Sequence, residues 1–116
     1  KEVADIKTAD QLNLPTPEVE YHNIVAQVRQ ENVSLVNGSG LKAYSVVVGS
    51  FSLIANAEGL QQTLRNGGYD AQVVKNEERN MYRVVAATFD SKADAAASRN
   101  EFRTKYPDAW LLFSGR

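Results

Sequence analysis

The chain contains no cysteine, which removes disulfide staples, a thiolate nucleophile and thiolate metal sites together. It has one histidine, His22, set in a polar stretch where a solvated side chain is a commoner role than a base or a metal ligand. No apolar run approaches the roughly 18 residues needed to cross a bilayer, so no membrane span is expected. Charge of one sign is lacking as well. The 13 Lys and Arg against 14 Asp and Glu leave a net charge of −1, and acids and bases are interspersed. Nothing here resembles the basic footprint that holds a phosphate backbone, so nucleic acid is not an expected partner. No nucleophile, base and orienting group are brought together, and no carboxylate pair has a plausible cleft. The expectation is a binding or interaction module, not an enzyme, with no cofactor. The chain opens on Lys1 and not on Met, as expected of a processed or partial product, so the termini carry no localisation signal.

What is present is a repeat. Tyr44 to Val74 can be laid on Tyr82 to Leu112 at one constant offset without a gap. Tyr44 then matches Tyr82, Val46 and Val47 match Val84 and Val85, and Phe51 matches Phe89. Ala57 matches Ala95, Arg65 matches Arg103, and Asp70-Ala71 matches Asp108-Ala109. Matches at the same places in a strand, helix, strand pattern imply two copies of one supersecondary unit.

Residue types fill in the elements. Tyr44 to Phe51 is a β-branched run that reads as a central strand. Asn56 to Asn66 carries Ala57, Leu60 and Leu64 at helical spacing and is stopped by Gly67-Gly68 in a left-handed cap. Tyr69 to Val74 and Met81 to Phe89 read as the second and third strands, joined by the polar turn Asn76 to Asn80. Ser91 with Asp94 three residues on resembles a capping box and opens a helix to about Lys105. Pro107 ends it, and Ala109 to Phe113 is the fourth strand. The order β-α-β-β-α-β predicts an α+β fold of the split βαβ or ferredoxin-like type, an antiparallel sheet with both helices on one face. Residues 1–40 read as an extension: Lys1 to Pro17 as a tail broken by Pro15 and Pro17, then an ambiguous stretch with a short strand at Val33 to Val36. Residues 41–116 form the repeat-bearing domain.

Alternation separates the two sheet faces. Val46, Val48, Val84, Ala86, Ala71, Val73, Ala109 and Leu111 should face the helices. Ser45, Val47, Arg83, Val85, Gln72, Val74, Trp110 and Leu112 should face the open side. That second set is too apolar for a solvated surface, so a ligand, a partner chain or the residues before Leu41 should cover it. Arg83 among valines on a central strand needs an acceptor, either from a ligand or from an acid of the extension such as Glu18 or Glu20. Trp110 can pack the extension or stack a ligand.

Tyr44 to Phe51, then Asn56-Ala57, Leu64 and Gly68, then Tyr82-Arg83-Val84 leading to Phe89 and a second Ala-rich helix, resembles the sporulation-related repeat (SPOR) domain family. The resemblance spans Leu41 to Phe113. It implies the same β-α-β-β-α-β fold and non-catalytic binding of peptidoglycan glycan strands stripped of their stem peptides, as at division septa. It also implies the periplasm or cell envelope of a bacterium, with a divisome or other envelope protein as a possible partner. The family's binding face falls on Ser45, Val47, Ser50, Phe51, Arg83 and Val85. Two positions depart from its pattern: Val47 stands where glutamine is common, and Ala87 where glycine is usual. Gln72, Arg83 and Trp110 are the side chains suited to sugar, by hydrogen bonding and stacking. The alternative is a protein–protein interaction or oligomerisation domain using the apolar open face.

Overall fold

The computed structural model describes residues 27–114. The tail Lys1 to Pro17, His22, and the acids Glu18 and Glu20 lie outside the described residues. In chain order the elements are β1 (Val28–Gln30), β2 (Ser34–Asn37), β3 (Tyr44–Phe51), α1 (Ile54–Asn66), β4 (Gln72–Asn76), β5 (Met81–Phe89), α2 (Lys92–Phe102) and β6 (Trp110–Phe113).

The four strands of the repeat lie in the spatial order β6-β3-β5-β4, with the first and third strands central, as right-handed crossovers require. The repeat has a structural counterpart in the β3–β5 register. Tyr44 stands opposite Phe89, and Phe51 stands opposite Tyr82, so each Tyr-to-Phe strand pairs with the other about a local dyad. The matched arginines do the same job in both halves. Arg65 Nε donates to the carbonyl of Ala71 at 3.1 Å, and Arg103 Nε donates to the carbonyl of Ala109 at 2.9 Å. Each ties the end of its helix to the residue just before the strand that follows. Ala57 and Ala95 are both fully buried, small enough to let each helix lie close on the sheet.

The helix ends follow from local chemistry. α1 stops in a Schellman arrangement: the N–H of Tyr69 reaches the carbonyl of Leu64, and the N–H of Gly68 that of Arg65. This needs a left-handed residue, and Gly68 supplies it at φ 96°. The same turn carries Tyr69 and Asp70 outside the sheet, so β4 begins at Gln72, later than alternation from Tyr69 suggests. α2 starts at its expected cap, where Ser91 Oγ accepts from the N–H of Asp94 at 3.3 Å. α1 starts at Ile54 without a side-chain cap, two residues before the expected Asn56.

Beneath the helices the core has two parts, Val46, Ala95, Ala96, Ala109 and Leu111 in one and Ala57, Leu64, Ala71, Val73, Val84 and Ala86 in the other. Val48 packs against both. The alternation therefore placed every helix-facing residue on the correct side.

The extension supplies the strand expected near Val33 to Val36 and one more. It adds two strands, one at each edge: β1 runs parallel to β6, and β2 runs antiparallel to β4, completing a six-stranded sheet. Only residues 31–33 join them. Four residue steps reach at most about 14 Å, whereas five strand spacings in a flat sheet would cover about 24 Å. The sheet must therefore coil strongly toward the side away from the helices, bringing its edges together over that face.

Candidate functional site

The face away from the helices is lined by Val47, Val74, Val85 and Leu112, all at most 1% exposed, with Val33, Leu41 and Trp110 packed against them. Val33 and Leu41 belong to the extension and its junction, so the chain covers its own apolar face. The prediction that something must cover it is met from within, and the surface expected to drive self-association is buried.

Arg83 lies at the centre of this face, 6% exposed. β5 places it there because its neighbours Val84 and Tyr82 turn toward the helices. Its Nε donates to Glu31 Oε1 at 3.1 Å, its Nη2 to Glu31 Oε2 at 3.0 Å, and its Nη1 to Ser50 Oγ at 2.9 Å. Among the described residues the acceptor is thus an acid of the extension, Glu31. Two parallel charge-assisted bonds in this geometry are the strongest arrangement an Arg–carboxylate pair adopts. Burial pushes the Glu31 carboxyl pKa up. Hydrogen bonds from Arg83 and Asn76, with the positive charges of Arg83 and Arg29, outweigh that and hold it below the ordinary value.

Trp110 sits beside this pair. The Arg29 guanidinium lies 3.7 Å from its ring centroid and that of Arg83 5.3 Å from it. Arg29 also reaches Glu31 at 3.3 Å. From one short stretch, then, the extension lays a cation on the indole and a carboxylate on Arg83.

Gln72 is buried and ties down the junction, accepting from the N–H of Gly40 at 2.7 Å and donating to its carbonyl at 3.0 Å. Ser45 Oγ is 3.0 Å from Thr88 Oγ1, which also accepts from the N–H of Lys42. Val47 and Val85 are directly paired, with a register slip on either side of Val47. Ser50 contacts Arg83. Phe51 points the other way and packs with the cluster under α1, because the irregularity around Val47 and Gly49 shifts the alternation at the end of β3. Ser45, Val47, Ser50, Gln72, Arg83, Val85 and Trp110 therefore share one face, and Phe51 stands apart from it.

Sequence reasoning missed Glu31, Arg29 and Asn76. An acid two residues from an arginine, just before the expected strand at Val33, is the faint signal that could have nominated Glu31. On the helix side, the ends of α1 and α2 enclose a crevice of about 400 Å³ that includes Tyr69, Phe102 and Tyr106. Among the described residues no group of three or more acids and histidines is placed to hold a metal, and no helix is long and apolar enough to cross a membrane.

A search of curated proteins finds no match. Among solved structures, the chain is similar to the solution structure of the peptidoglycan binding domain of the B. subtilis cell wall lytic enzyme CwlC. The TM-score is 0.51 and the identity 27%, over 70% of this chain and 100% of that one. Residues 40–112 match the SPOR domain profile, a stretch that takes in both halves of the repeat and most of the Arg83 face, and the chain belongs to the SPOR domain family.

Proposed function

We propose that this domain binds peptidoglycan through the sheet face that carries Arg83, and that its ligand is the glycan strand from which stem peptides have been removed. Membership of a non-catalytic binding family and likeness to a peptidoglycan binding domain of a lytic enzyme support the reading. The observation that carries it is the pairing on one face of Trp110, which can stack a pyranose, with a guanidinium that already holds a carboxylate. On this reading the chain works in the bacterial cell envelope, in the periplasm where there is one, and its preference for stripped strands would bring it to division septa. A divisome or other envelope protein would be its neighbour there.

Retention of the purified chain on intact and on amidase-stripped sacculi tests this. Enrichment on stripped sacculi is expected. Equal retention on both would contradict the glycan preference, and retention on neither would contradict peptidoglycan binding.

A further inference from the structure

Arg29 covers the indole of Trp110, and Glu31 covers the guanidinium of Arg83. A muramyl residue freed of its stem peptide carries a pyranose ring with a lactyl carboxylate beside it. The sheet face offers an indole and, 5.3 Å from its centroid, a guanidinium carbon. In the chain as it stands, Arg29 lies on that indole and the Glu31 carboxylate lies on that guanidinium. We propose that Arg83, Ser50 and Asn76 form a carboxylate subsite that Glu31 fills in the resting domain, and that the lactyl carboxylate of a peptide-free muramyl residue replaces it. This inference deepens, and rests on, the glycan reading above.

Three observations support the exchange. Arg83 is nearly fully buried, and a buried guanidinium left without an acceptor is strongly penalised, so whatever displaces the strap must bring one. A second carboxylate does so with no loss of charge pairing. The strap itself is built to leave. β1 has three residues and β2 four, almost all of them exposed, and segments with so few buried contacts open at low cost. The chemistry also explains discrimination. In an intact strand the lactyl carboxyl is tied up as an amide to the stem peptide, so it has no charge to offer Arg83. Removing the peptide creates the group this site holds.

The test is binding of soluble glycan to the whole chain and to Glu31→Gln, with three ligands: stripped strands, stripped strands whose lactyl carboxyls have been reduced to alcohols, and strands with stem peptides in place. The wild-type chain should bind stripped strands at least roughly tenfold more tightly than the other two, within the usual range for coupled binding. Glu31→Gln, which weakens the internal competitor, should gain roughly five- to tenfold for stripped strands and much less for the reduced ones. Equal binding of reduced and stripped strands would overturn the carboxylate subsite while leaving glycan binding intact. Tight binding of strands with stem peptides would assign the carboxylate to the peptide and overturn the lactyl assignment. Binding of none of the three would overturn the glycan reading itself.

Discussion

Arg83 and Glu31, separated by 52 residues of sequence, meet side-on, with two guanidinium nitrogens on two carboxylate oxygens at 3.1 and 3.0 Å. This pair turns an irregular extension into part of the fold. It also sets an asymmetry. Arg83→Ala leaves a buried carboxylate without its main partner and should cost about 3–5 kcal/mol of unfolding free energy. Glu31→Gln keeps an acceptor for the guanidinium and should cost about 1–2 kcal/mol. Urea unfolding of the two variants checks this, and equal costs would mean that the pair is solvated in solution.

Acid should weaken the strap. The folded pKa of Glu31 is depressed below its ordinary 4.5. The carboxylate therefore contributes stability that is fully present above pH 4.5 and is lost as pH falls through the lower folded value. Denaturant midpoints measured from neutral pH to pH 3 should fall more steeply for the wild type than for Glu31→Gln, with the divergence confined to the region below about 4.5. Parallel curves would show that Glu31 does not titrate against Arg83.

Gly38 fixes the other end of the strap. Its φ is 146°, and a Cβ there would stand 2.5 Å from Gln72 Oε1, the atom that accepts from Gly40. Gly38→Ala should displace Gln72 and cost about 1–3 kcal/mol through the lost part-buried hydrogen bonds and backbone strain. Amide exchange at Gly40 should accelerate while that of β3 and β5 does not. Unchanged exchange at Gly40 would show that the junction adapts around the new methyl.

The repeat predicts equivalent energetics. Arg65→Ala and Arg103→Ala each remove one charge-assisted bond to an alanine carbonyl, and each should cost about 1–2 kcal/mol. The two clamps lie at separate helix ends without a shared partner, so the double variant should show additive losses. Unequal or strongly coupled effects would mean that the two halves are not mechanically equivalent.

Much of this was legible because it is local. Alternation sorted Val46 from Val47 and Val84 from Val85, the glycine pair announced the end of α1, and Ser91 announced the start of α2. Even the anomaly of Arg83 among valines was readable, since a guanidinium on a central strand must find an acceptor. Its partner was not readable. Glu31 is joined to Arg83 only through tertiary structure, and β1, three residues paired in parallel at a sheet edge, has too little length to show a period. The direction of Phe51 was lost for a different reason. Strict alternation holds only while the ladder is regular, and the register slips beside Val47 reset it.

Amide hydrogen exchange of the wild-type chain, with and without saturating stripped glycan, reads residue by residue whether the glycan takes the place of the strap. Faster exchange is expected for Val28–Gln30, for Ser34–Asn37 and for the Glu31 N–H that now bonds to Phe113, with unchanged or slower exchange in β3 and β5. Glycan binding that leaves the strap as protected as before, with protection gained instead around Tyr69 and Phe102, would contradict that replacement and move the site to the crevice between the helices.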